Sequence, residues 1–111
     1  MDDPHLSLCI PLIKIGMRAE ASELYYKYGI HIMNSSTTNP IIQAHDAAIS
    51  FHLAAMNQPV PHLKLEFYRY AKNCYEDCGD RESAKLCQEF INELDNKKNW
   101  LILPGMMCHY L

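Results

Sequence analysis

The sequence predicts an all-α protein, either a five-helix antiparallel bundle or a short stack of helical-repeat hairpins. Three observations carry that prediction. Apolar residues recur at spacings of three and four, and no segment shows the strict alternation of a half-buried strand. Turn residues fall between those segments, at Asn39-Pro40, Pro59 to Pro61 and Gly79. Finally, a small pattern occurs twice, as Gly16 followed by Ala21 and as Gly79 followed by Ala84. In each, glycine permits the left-handed residue that ends one helix, and the alanine lets the next helix pack close to it. The expectation is that Gly16 and Gly79 terminate helices and that Ala21 and Ala84 face the helix before them.

Taken in order, residues 4–15 carry Leu6, Leu8, Ile10, Leu12, Ile13 and Ile15 and predict a short helix that starts at Pro4 and is kinked by Pro11. Residues 17–33 predict a strong helix with Met17, Ala21, Leu24, Tyr28 and Ile32 on one face and Gly29 weakening its last turn. Asn34 to Asn39 is a polar loop. Asn39 as N-cap and Pro40 at the first helical position start a helix that runs to Asn57. Ile41, Ala44, Ala48, Phe51 and Ala55 form one apolar face of it, and Ile42, Ile49, Leu53 and Met56 form another. A helix with so few polar positions is expected to be the central and most buried one.

A fourth helix, 61–78, is predicted to turn Leu63, Phe67, Tyr70, Cys74 and Cys78 inward, with Tyr68 and Tyr75 on a flank. Asp80 then caps a fifth helix over 81–95 that buries Ala84, Cys87, Ile91 and Leu94. Asn96 to Asn99 is expected to interrupt it. Trp100 to Leu103 is apolar enough to begin another helix, which Pro104-Gly105 would stop. Residues 1–111 therefore read as a single helical domain, with 104–111 as a docking tail.

Composition narrows the function. The formal charge is -3 and the Lys and Arg residues are scattered, which argues against a nucleic-acid partner. No apolar run approaches the ~18 residues of a bilayer span, so no membrane insertion is expected. Met1-Asp-Asp is acidic where a signal peptide would be basic, which places the chain in the cytoplasm or nucleus. In that setting five cysteines, an odd number, read as free thiols. Asn34-Ser-Ser36 fits a glycosylation acceptor but reads here as part of a loop.

Candidate chemistry is sparse. Cys74 and Cys78 stand one helical turn apart and could supply half a zinc site with Cys87 nearby, but no fourth ligand offers itself at a credible spacing. His45 and His52 point the same way on one helix, with His31 and His62 as the nearest candidates to join them. The His-Glu-x-x-His arrangement of a helical zinc site is missing. No nucleophile stands in a recognised setting, and four glycines are too few for phosphate-cradling loops. No catalytic residue, metal or cofactor is expected, and the protein does not read as an enzyme.

The aromatic residues point instead to binding. Tyr25, Tyr26 and Tyr28 cluster on one predicted helix and Phe67, Tyr68, Tyr70 and Tyr75 on another. A chain this short is not expected to bury seven tyrosines completely, and tyrosine serves interfaces well because it joins a large apolar area to a polar tip. The predicted partner-binding residues are Tyr25, Tyr26, Tyr68, Trp100 and Met106. Tyr26 and Tyr68 flank the predicted buried faces and are expected to remain available after folding. The expected function is protein–protein interaction, as an adaptor or a subunit of a larger complex, with a protein partner or a second copy of the chain. Two alternatives stand beside it: an effector that inhibits a partner by occupying its groove, and a small helical metal or redox protein using Cys and His.

The two hairpins resemble tetratricopeptide-type and related α-solenoid repeats. Tyr75, Gly79, Ala84 and Ile91 stand at the spacings that family uses, as do Leu12, Gly16, Ala21 and Tyr28. The resemblance implies a protein-binding scaffold of the kind found in adaptor and trafficking complexes.

Overall fold

A computed structural model describes residues 16–35 and 39–106, with side chains up to residue 96. Four α-helices follow one another: α1 (Arg18–Met33), α2 (Pro40–Asn57), α3 (Pro61–Asp77) and α4 (Arg81–Met106). Each packs on the next. Among the described residues there are no strands. The described residues thus form an all-α fold, with packed hairpins compatible with a helical-repeat stack. Four helices are found where five were expected, because the segment 4–15 lies outside the described residues.

The punctuation works as its chemistry dictates. Asn39 Oδ1 accepts from the backbone N–H groups of Ile41 and Ile42, both at 3.1 Å, and Pro40 fills the first helical position. Gly79 has φ +82° and closes α3 in a Schellman arrangement, with Asp80 N–H donating to the Tyr75 carbonyl and Gly79 N–H to that of Glu76. Asp80 then starts α4 by accepting from Ser83 N–H at 3.1 Å and from the Ser83 hydroxyl at 2.8 Å. Those hydrogen bonds to the ionised form hold its carboxyl below the usual range. Gly16 also has a positive φ, of +86°. The helix it was expected to end lies outside the described residues.

α4 departs from expectation. It runs to Met106 without a break at Asn96 to Asn99. Asn and Lys are polar, but neither removes a backbone donor, so the helix continues through them. The separate helix expected at Trp100 is part of α4, and Pro104-Gly105, expected to stop it, lie within the helix, which runs on to Met106.

Side-chain size sets the packing of α1 on α2. Ala21, Ser22 and Gly29 on α1 are buried, as are Ala47, Ala48, Ser50, Phe51, Ala54 and Ala55 on α2, and Ser22 meets Ala54 while Gly29 meets Phe51. Gly29 was expected only to weaken its helix. It is instead a packing residue, since a Cβ there would stand 2.7 Å from the Phe51 ring. Two hydroxyls cross the interface. Ser22 Oγ donates to the Ala54 carbonyl and Ser50 Oγ to the Tyr25 carbonyl, both at 2.6 Å, and Gln58 Nε2 donates to Ser22 Oγ at 3.1 Å. Buried polar groups are therefore paired, as a dry interface requires.

Helix C-termini are closed by side chains from the following element. Gln43 Nε2 lies 2.7 Å from the Ile32 carbonyl and 2.9 Å from that of Ser35, at the end of α1. Lys64 Nζ donates to the Ala55 carbonyl at 2.9 Å, at the end of α2. A cation there also complements the negative end of the helix dipole.

Candidate interaction surfaces

The structure sorts the predicted binding residues into three groups. Tyr25 and Tyr68 are core: Tyr68 is 2% exposed and Tyr25 7%. The expectation that Tyr68 would remain available after folding is corrected. α3 lies between α2 and α4, so it buries two faces, and the flank that carries Tyr68 and Tyr75 is enclosed between its neighbours, with His52 of α2 against both rings and Phe90 of α4 against Tyr68. The Tyr68 ring stacks on Phe90 of α4 at 4.9 Å, with the planes 15° apart. Burial raises the pKa of the Tyr68 hydroxyl above its usual value. Leu63 and Tyr70, expected to point inward, are only partly buried.

Tyr26 is the second group. It is half-buried, and its ring stacks on Phe67 at 4.7 Å and lies 6.0 Å from Phe51 and 6.1 Å from Tyr70. With Leu63 and Phe67 it lines a shallow surface depression between α1 and α3, rimmed by the Glu23–Lys27 ion pair. Trp100 and Met106 form the third group. Their backbone belongs to α4, and their side chains lie outside the described residues, as does most of the expected tail.

The surface that sequence reasoning missed is on α2. Of the face read as Ile41, Ala44, Ala48, Phe51 and Ala55, the last four are buried as expected, whereas Ile41, in the first turn of the helix, is 60% exposed. The second apolar face is open. Ile42 is 57% exposed, Ile49 40% and Met56 49%, with Leu53 half-buried beside them. These three stand seven residues apart, so they form one ridge about 21 Å long along the helix. α1 and α3 both pack against the opposite side, which leaves the ridge bare. The sequence did signal it: a helix with two separate apolar faces needs cover for both.

The histidine and cysteine candidates do not assemble. His52 is half-buried and its Nδ1 lies 3.0 Å from the Tyr75 hydroxyl, with Tyr68 and Tyr75 presenting ring edges to it. Burial lowers its pKa. His45, on the same helix, is exposed beside Asp46. Cys74 and Cys87 are buried, and burial pushes both thiols up to about 11, which keeps them protonated and weakly nucleophilic near neutral pH. Cys74 Sγ sits 3.8 Å from Met33 Sδ, while the Cys78 thiol points back to the Tyr75 carbonyl at 3.3 Å. Among the described residues no three His, Cys, Asp or Glu side chains are placed to hold a metal ion, and no helix is long and apolar enough to cross a membrane.

No protein-family model matches the chain, and neither a curated protein nor a solved structure matches it. The tetratricopeptide likeness therefore stays a likeness of spacing, and the surfaces carry the functional argument.

Proposed function

We propose that this chain is a protein-interaction module, an adaptor or a subunit of a larger assembly, that engages a protein partner through the exposed face of α2. The observation that carries the reading is the ridge of Ile42, Ile49 and Met56. Large aliphatic side chains left in water cost free energy that a partner recovers, at roughly 25 cal/mol for each Å² of apolar surface it covers. Three of them in line on one rigid helix make a continuous target. Tyr26 extends the reading to a second surface, where a half-buried aromatic ring offers area with little conformational freedom to lose.

Comparison of the native chain with Ile42→Ser/Ile49→Ser tests this. The native chain is expected to co-purify with a protein partner or to self-associate in sedimentation. The double variant is expected to lose that association by tenfold or more and to keep its helical circular dichroism. A native chain that stays monomeric and captures no partner, or a variant that associates as well as the native chain, overturns the reading.

A further inference from the structure

A groove of about 490 Å³ runs between α3 and α4 on a different pair of helices from the α2 ridge. It is lined by Lys72 and Glu76 from α3, by Gly79 from the turn between the helices, and by Arg81, Ala84, Lys85 and Gln88 from α4. Lys72 Nζ holds the Glu76 carboxylate at 2.9 Å, so those two charges largely cancel. The side chains of Arg81 and Lys85 have no hydrogen-bond or ion-pair partner among the described residues, unlike Lys27, Lys64, Arg69 and Lys72, each of which has one. Glu82 follows Arg81 in the chain but does not line the groove.

Two cations one helical turn apart repel each other. Near the start of α4 they also oppose the helix dipole. The chain as a whole is acidic, at -3, and Asp80 and Glu82 flank Arg81 in the sequence, but the lining of the groove carries Lys72, Arg81 and Lys85 against Glu76 alone. We propose that the groove between α3 and α4 receives an acidic segment of a protein partner, with its carboxylates on Arg81 and Lys85.

The geometry favours a chain over a small anion. Among the described residues the groove is open to one side, and Gly79 and Ala84 are the smallest residues of its lining, so a backbone can approach it there. The Cβ atoms of Arg81 and Lys85 are about 5–6 Å apart, as for any residues four apart on a helix. An extended peptide places alternate side chains on one side at about 6.5–7 Å, so carboxylates two residues apart reach both cations. Arg81 can hold one of them in a bidentate pair. The inference is independent of the α2 reading, since it uses other helices and other chemistry.

The test uses the full chain and two fluorescent peptides, one of alternating Glu and Gly and one with Gln in place of every Glu. Anisotropy at low salt is expected to show binding of the Glu peptide, at least tenfold weaker binding of the Gln peptide, and loss of binding as salt rises. Arg81→Glu/Lys85→Glu should abolish it with unchanged circular dichroism, whereas Lys27→Glu and Ile42→Ser/Ile49→Ser should leave it intact. Equal binding of the two peptides, no binding of either, or an unaffected charge-reversal variant overturns the proposal. So does displacement of the peptide by inorganic phosphate at an equal concentration of charge, which would mark the groove as a general anion surface.

Discussion

At the scale of single residues, the chain shows how one side chain decides the meaning of another. In an exposed helix interior, replacing Gly by Ala stabilises by about 1 kcal/mol through helix propensity. At Gly29 the added methyl would stand 2.7–2.9 Å from three atoms of the Phe51 ring, and Phe51 is itself 2% exposed and cannot swing clear. Overpacking of this kind costs about 1–3 kcal/mol, so the steric penalty is expected to win. Gly29→Ala should lower the urea midpoint, and the sign should reverse when Phe51→Leu removes the ring. A double-mutant cycle of denaturation curves measures that coupling. His52 makes a second residue-scale prediction. Burial depresses its folded-state pKa below 6.5, so the folded chain binds fewer protons than the unfolded one. The stabilising contribution is complete above pH 6.5 and is lost as the pH falls from there through the lower folded-state value. Thermal melts at pH 7.5 and 5.5 should differ more for the native chain than for His52→Gln, and equal differences would show that His52 does not drive the pH dependence.

At the scale of elements, the sequence was most legible where backbone chemistry acts alone. The bounds of α2 followed from Asn39-Pro40, because a side-chain acceptor and a missing N–H leave few alternatives at a helix start. The end of α3 followed from Gly79, whose left-handed backbone most other residues adopt only with strain. The face of each helix was harder to read, because it depends on how many neighbours the helix acquires. α3 was read with one buried stripe and has two, which is why Tyr68 and Tyr75 proved to be core. Gly29 could not be recognised as a packing residue without knowing that Phe51 lies over it. The α3–α4 junction gives the element-scale prediction. Ala84 is 5% exposed, in the first turn after the Asp80 cap, on a helix whose main packing partner is α3. Ala84→Leu should force the helices apart and destabilise the chain by roughly 1–3 kcal/mol. A variant that melts like the native chain would show that α3 and α4 are not closely packed there.

At the scale of the whole molecule, the separation of core from surface decides what can be changed without unfolding the chain. Tyr68 joins three helices: its ring stacks on Phe90 of α4, and it presents an edge to His52 of α2. Removing a buried aromatic side chain costs about 3–5 kcal/mol, a large share of the roughly 5–15 kcal/mol that holds a small domain together. Tyr68→Ser is therefore expected to lose much of the helical signal at 37 °C, or to shift the urea midpoint far down. Ile42→Ser and Ile49→Ser act on side chains that the fold leaves about half in water, and they should move the midpoint little. The same pair of measurements carries over to association. If the α2 ridge is the interface, the isoleucine variants lose the partner while remaining folded, whereas Tyr68→Ser loses it only in proportion to unfolding. Should the isoleucine variants unfold as readily as Tyr68→Ser, the ridge is covered within the native chain, and Tyr26 would remain the aromatic surface to test.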